Sequence, residues 1–328
     1  MACWFLVAGL VLLVIGSEAA MRGGVGLAQA FGMSPLLMGL FVISAASSSP
    51  ELFVALRAAT TDAPDIALGA VIGGCVLNLL LVLGLGAMIR PMSSPPKVVL
   101  RDGGAMLLAS LAIVVITWSG FVTRPYGGFL LAAFVLYVVV TFLSDWRRSA
   151  DHSVLLARAE VRSRGEPLPG VGALFLLLIG GVGLALGANF AVAGGVAMAR
   201  AFHLQEAFVG LTIIAFGVSL PKLLVTVVWA VRGNANLAVG SLIGANVVDL
   251  LAVLGVTAMI APFAVSPLLG SVDVYVLACV SAVLLPLLAM RWRLSRPRGV
   301  MLVVAYACYL IFLAWRQGLI SPALLHIG

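Results

Sequence analysis

The chain alternates between long apolar runs and short polar breaks. The runs fall near 3–20, 36–59, 66–89, 103–119, 126–143, 171–190, 206–230, 237–260, 271–290 and 300–317. Each approaches or exceeds the ~20 residues that a helix needs to cross a hydrocarbon core of about 30 Å. The pattern therefore predicts an all-α polytopic membrane protein with about ten transmembrane helices. The first run, CWFLVAGLVLLVIGSEAA, ends in small residues as a signal peptide does. It has no basic leader and a copy of it recurs mid-chain, so it is read as a helix.

An internal repeat organises these runs. Sliding the chain against itself by 171 residues aligns 39–91 with 210–262 without a gap, and about 22 of 53 positions are identical. The same offset carries Gly9 onto Gly180, Gly16 onto Gly187 and Glu18 onto Asn189, so the duplicated unit includes the first helix. Each half holds five predicted spans, and an odd number makes the second copy enter the membrane from the opposite side. Two inverted five-helix repeats are expected at 1–143 and 171–328, an architecture common among secondary transporters. Residues 144–170 form the long polar stretch between them, expected as a cytoplasmic linker with an amphipathic helix at SVLLARAEVRS.

Composition sharpens this picture. The chain is 63% hydrophobic and 9% charged, which excludes a soluble or disordered protein. Its net charge of +7 lies in the polar breaks rather than on a basic surface interleaved with aromatics, so no nucleic-acid partner is expected. With both termini outside, about fourteen basic residues, among them Arg22, Arg90, Lys97, Arg101, Arg232 and Arg298, fall in cytoplasmic loops. The opposite face holds Arg57, Arg124, Arg200 and Arg316. A multi-pass protein of a bacterial-type inner membrane follows. The four cysteines sit in apolar runs without metal-ligand or redox spacing and are read as inert thiols.

The candidate chemistry lies mid-span. Ser47-Ser48-Ser49-Pro50-Glu51 and Val218-Ser219-Leu220-Pro221-Lys222 occupy matched places in the two repeats. Pro50 and Pro221 each lack an N–H, which predicts helix breaks that free carbonyls near Ala46 and Gly217. Hydroxyls of Ser47, Ser48 and Ser219 stand beside the breaks. After a turn, the following helix of each pair brings Asn78 or Asp249, 27 residues beyond Glu51 and Lys222 respectively. A hairpin with arms of about equal length returns these four side chains to one depth. An ionised acid at the bilayer centre costs at least about 2.5–3.5 kcal/mol unless paired or ligated, which marks Glu51 and Asp249 as functional. Glu18 lies toward the end of its predicted span and is assigned to the interface.

These paired motifs resemble the α-repeats of the sodium/calcium exchangers in the cation/calcium antiporter superfamily. There, G-T-S-x-P-E is followed by G-S-N-x-x-(N/D), here matched by 47–51 with 73–78 and by 218–222 with 244–249. The resemblance implies a secondary-active antiporter that exchanges Ca²⁺ or another cation against Na⁺ or H⁺ at a midplane site by alternating access, with no cofactor beyond the transported cations. It implies Glu51, Asp249 and Asn78 as side-chain ligands and Glu51 and Asp249 as the metal-binding acids. Ser47, Ser48 and Ser219 would support them, with the backbone of Ser44 and Ala215 as carbonyl donors. Lys222 departs from the pattern, standing where the second glutamate belongs. Gly74 and Ala245 replace serines, and Val218 replaces a threonine.

Ca²⁺ takes about six to eight oxygens with carboxylates among them, and a lysine supplies none. Three roles for Lys222 follow: a tethered cation, a titrating group of a monovalent cation/proton antiporter, or one arm of a locked salt bridge in a non-transporting scaffold. An enzyme finds no support, since no nucleophile–base or paired-aspartate constellation lies in the spans, and His152, His203 and His326 fall in loops or the tail. A channel is disfavoured by inverted halves around a single site.

Overall fold

The computed structural model describes residues 2–34, 37–93, 96–145, 170–233, 235–290 and 292–319. The expected linker and its amphipathic segment lie outside these residues, apart from Ser144, Asp145 and Gly170. Nine helices among the described residues are long and apolar enough to span a membrane unbroken. We number the helical elements α1 (Ala2–Ala30), α2 (38–60), α3 (Pro64–Ile89), α4 (Pro96–Thr117), α5 (Arg124–Asp145), α6 (Gly170–Ala201), α7 (Glu206–Val231), α8 (Asn236–Ile260), α9 (Leu269–Ala289) and α10 (Arg296–Arg316). The span outside the nine is α2, which is divided into a π-helical turn Met38–Ile43, a short turn Ser44–Ser47 and the helix Ser49–Thr60.

Two helices, α1 and its repeat partner α6, run well past the predicted ends. α1 continues to Ala30 because its two charged residues do not terminate it: Arg22 Nε bonds Glu18 Oε1 one turn away at 2.7 Å. Glu18 therefore sits in the body of a helix rather than at its end. Large apolar side chains such as Leu108 on α4, Leu136 on α5 and Phe175 on α6 are exposed, as lipid-facing residues are, whereas α3 is almost wholly enclosed by its neighbours.

The repeat relation can be read from contacts alone. α1 and α6 are equivalent helices, and they pack antiparallel: Gly9 meets Ala191, Gly16 meets Leu184 and Gly23 meets Leu177. Equivalent helices that run antiparallel are exchanged by a two-fold axis perpendicular to their length, which in a membrane is an axis in its plane. Three further contacts join residues 171 apart and so lie on that axis: Glu51 with Lys222, the Cys75 carbonyl with Asn246, and Ser110 with Ser281. Two short antiparallel ribbons obey the same symmetry. β1 (Met92–Ser93) pairs with β4 (Arg293–Leu294), and β2 (Phe121–Val122) pairs with β3 (Phe263–Ala264), so each ribbon ties one repeat to the other at one end of the bundle.

Close backbone approach sets the α1–α6 pairing. A Cβ on Gly180 would collide with the Ala20 amide nitrogen, whereas one on the adjacent Gly181 would meet nothing within 4 Å. Gly180→Ala is expected to lower the thermal unfolding midpoint in detergent, at an overpacking cost of about 1–3 kcal/mol. Gly181→Ala should leave the midpoint unchanged or raise it, since alanine favours a helix by roughly 1 kcal/mol over glycine.

Candidate functional site

The two Pro-containing segments fold differently despite their matched sequences. In α2 the helix is interrupted at Ser48 (φ −99°, ψ 5°) and restarts at Ser49 with Pro50 in its first turn, where a missing N–H costs nothing. The Ala46 carbonyl, expected to be free, accepts the Ser49 hydroxyl at 2.7 Å. The Ser44 carbonyl is likewise not available: it accepts the Ser48 amide and the Ser47 hydroxyl, each at 3.2 Å. In α7 the predicted break at Pro221 does not occur. Pro221 sits inside the continuous helix Ala215–Val231, where the residue four earlier is Gly217, which brings no side chain to the strained turn. Ala215 opens that helix, so its carbonyl falls within the regular ladder.

Irregularity appears instead as π-helical turns at symmetric places. Gly210–Ile214 in α7 answers Met38–Ile43 in α2, and Asp249–Val253 in α8 answers Asn78–Val82 in α3. Asn78 and Asp249 each open such a turn, where the widened helix turns the polar side chain inward near the middle of its span.

There the hairpins bring three charges together. Lys222 Nζ lies 2.7 Å from Glu51 Oε1 and 2.9 Å from Asp249 Oδ2, and all three side chains are buried. Glu51 also stands in the first turn of Ser49–Thr60, where the helix dipole favours a carboxylate. Asn78 does not touch this triad by a hydrogen bond. Its Nδ2 donates to Asn246 Oδ1 at 2.9 Å, and Asn246 Nδ2 donates to the Cys75 carbonyl at 3.1 Å. Asn246, one turn before Asp249, was not among the predicted site residues. Its signal was present, because the G-S-N-x-x-(N/D) block contains it.

Five buried oxygens around the triad have no hydrogen-bond partner: Ser48 Oγ, Glu51 Oε2, Asn78 Oδ1, Ser219 Oγ and Asp249 Oδ1. Buried polar atoms are normally paired, and a cluster made only of oxygen acceptors and hydroxyls matches the needs of a cation. Ser47 faces a cavity of about 310 Å³ that also touches Ser17, Glu18, Lys222, Trp229 and Ser241. This cavity opens toward the end of the bundle that carries Arg22, Arg90 and Arg232. At the opposite end the equivalent residues Ala55, Ala58, Ala70, Ala188 and Ile214 are at most 1% exposed and pack closely, and a smaller cavity of about 160 Å³ reaches Ser48 between α2, α5 and α8.

Two more buried acids escaped the sequence reading although the 171-residue offset relates them. Asp102 on α4 accepts the Tyr137 hydroxyl at 3.2 Å and Arg101 Nε at 2.6 Å. Asp273 on α9 accepts the Tyr309 hydroxyl at 3.0 Å and Arg316 Nη2 at 2.6 Å. Both join neighbouring helices away from the triad.

The comparisons with known proteins agree with this architecture. The family model described as sodium/calcium exchanger protein matches residues 1–143 and 172–315. The chain belongs to the sodium/calcium exchanger family. It is 32% identical over 334 residues to inner membrane protein YrbG of Escherichia coli, covering 99% of both chains. It is 31% identical over 309 residues to the putative antiporter CaxA of Alkalimonas amylolytica, covering 93% of this chain and 96% of that one. Among solved structures, the sodium-calcium exchanger NCX_Mj soaked with 10 mM Na⁺ and 10 mM Sr²⁺ matches with a TM-score of 0.64 at 29% identity, over 94% of this chain and 97% of that one. The protein is thus a multi-pass membrane cation antiporter of the sodium/calcium exchanger type, a transporter by family rather than an enzyme.

Within this exchanger the lysine is the departure with the largest energetic weight. Removing one partner of a buried charge cluster leaves the others uncompensated, at a cost of about 3–5 kcal/mol. Lys222→Met is therefore expected to lower the thermal unfolding midpoint in detergent strongly, and Lys222→Met combined with Glu51→Gln to recover part of the loss. A double-mutant cycle on the midpoints measures the coupling.

Proposed function

We propose that the protein exchanges one monovalent cation for one proton, with Lys222 as a tethered cation that fills part of the site. The ammonium bridging both acids carries this reading. With Glu51 and Asp249 ionised and Lys222 protonated, the triad carries one net negative charge. A charged cluster crosses a low-dielectric region at high cost, so states of zero net charge reorient most readily. A bound Na⁺ or K⁺ makes the sum zero, and so does a proton on one carboxylate. A bound Ca²⁺ leaves a net positive charge and finds one oxygen of each carboxylate already engaged by the ammonium.

Antiport is in keeping with the names of the relatives, and the unpartnered oxygens of Ser48, Glu51, Asn78, Ser219 and Asp249 are the ligands we assign to the cargo ion. The cargo enters and leaves by alternating access, through the cavity on the basic side in this state. We assign that side to the cytoplasm, with both termini outside, from the distribution of arginine and lysine.

Reconstitution in liposomes tests the exchange. A Na⁺ or K⁺ gradient should drive protons in the opposite direction, and Glu51→Gln should abolish that flux. A Ca²⁺ gradient should drive none; Glu51-dependent Ca²⁺ uptake would overturn the reading. Lys222→Glu changes the site charge from −1 to −3, so Ca²⁺ binding measured by competition is expected to appear in that variant.

A further inference from the structure

The 171-residue equivalence separates two kinds of contact. A contact between a residue and its own repeat partner maps onto itself when the repeats exchange roles; any other contact maps onto a different pair. Lys222 makes one of each. Its bond to Glu51 is self-equivalent and lies on the pseudo-dyad. Its bond to Asp249 is not: the equivalent pair is Glu51 and Asn78. That pair is not hydrogen-bonded here, since Glu51 Oε2 has no partner and Asn78 Nδ2 is given to Asn246.

The two repeats thus hold different conformations, and the difference accompanies an open cavity at one end and close packing at the symmetric place. When inverted repeats rock against each other, exchanging their conformations turns a state open to one side into one open to the other. Self-equivalent contacts survive that exchange, whereas the others pass to their images.

We propose that Lys222 holds Glu51 in both states of the cycle but holds Asp249 only while the basic-side cavity is open. In the opposite state the Asn78 amide takes up Glu51, and Asp249 is released with both oxygens free. Cations arriving from the far side meet a full carboxylate, and cations facing the basic side meet one already engaged by the ammonium. Lys222 therefore sets the sidedness of the site, with tight binding on the far side and release on the basic side. This deepens the proposed role of Lys222 as a tethered cation and rests on it.

Membrane vesicles of both orientations, carrying the full chain, test the idea. The basic face is assigned by thiol labelling of an Arg90→Cys variant. The half-saturating concentration is measured on each face with Na⁺, K⁺ and Ca²⁺ in turn. In the unmodified chain it should be higher on the basic face by about tenfold, the ratio of one lost strong contact. Asp249→Asn should raise it on both faces and more steeply on the far face, so that the ratio between the faces shrinks, while Lys222→Gln should lower it on the basic face. Equal values on the two faces, or Asp249→Asn shifting both alike, would overturn the proposal. Should Lys222→Gln fail to fold, Asp249→Asn decides. Sided transport of Ca²⁺ alone would sink the monovalent reading and keep the sidedness; symmetric monovalent flux would do the reverse.

Discussion

An ammonium held between two carboxylates in the middle of a membrane protein is the constraint around which the rest is arranged. Lys222 reaches Glu51 at 2.7 Å and Asp249 at 2.9 Å, and none of the three is hydrated enough to stand alone. Three charged groups at this depth are tolerable only if the helices deliver them to one point, and α2, α7 and α8 do so, with α3 packed against α7. Their close approach depends on small residues: a Cβ on Gly73 of α3 would collide with the Leu211 carbonyl of α7. The exposed apolar faces of α4, α5 and α6 then meet the lipid and leave the polar residues an interior of their own.

The pseudo-dyad explains why the charges coincide. Residues equivalent by 171 positions touch only where the axis passes, and Glu51 and Lys222 occupy such a place. Two glutamates there would face each other as like charges and call for a bound cation between them. Replacement of one by lysine places a cation on the chain itself. The oxygens left over, from Ser48, Ser219, Asn78 and the second atom of each carboxylate, are buried without hydrogen-bond partners, and oxygens of this kind are what a cation takes. Loss of hydroxyls at Gly74 and Ala245 reduces that set, consistent with a smaller charge requirement.

Symmetry is broken in ways that matter for transport. The places equivalent to the cavity lined by Ser47, Glu18 and Trp229 are closely packed, with the alanines Ala55, Ala58, Ala70 and Ala188 at four of them. α2 is interrupted at Ser48 whereas α7 runs through Pro221 as one helix. A fold built from two copies of one unit thus holds them in two conformations, the condition that lets a central site face one side at a time.

The sequence by itself determined the apolar spans, the duplication with its inverted relation, and three polar residues that meet in the interior, Glu51, Asp249 and Asn78. These follow from rules that act locally: hydrocarbon thickness fixes span length, an odd number of spans inverts the second copy, and an ionisable side chain in an apolar run has no other tolerable place. Only the tertiary structure decided which oxygens remain open. Ser49 and Ser47 turn back onto the carbonyls of Ala46 and Ser44, Pro221 is absorbed into its helix, and Asn246 takes the amide of Asn78. The acids Asp102 and Asp273, alike in the repeat, proved to be held by Tyr137 and Arg101 and by Tyr309 and Arg316. Such outcomes turn on competition among partners brought together from distant parts of the chain, and a local pattern carries no record of which partner arrives first within bonding distance.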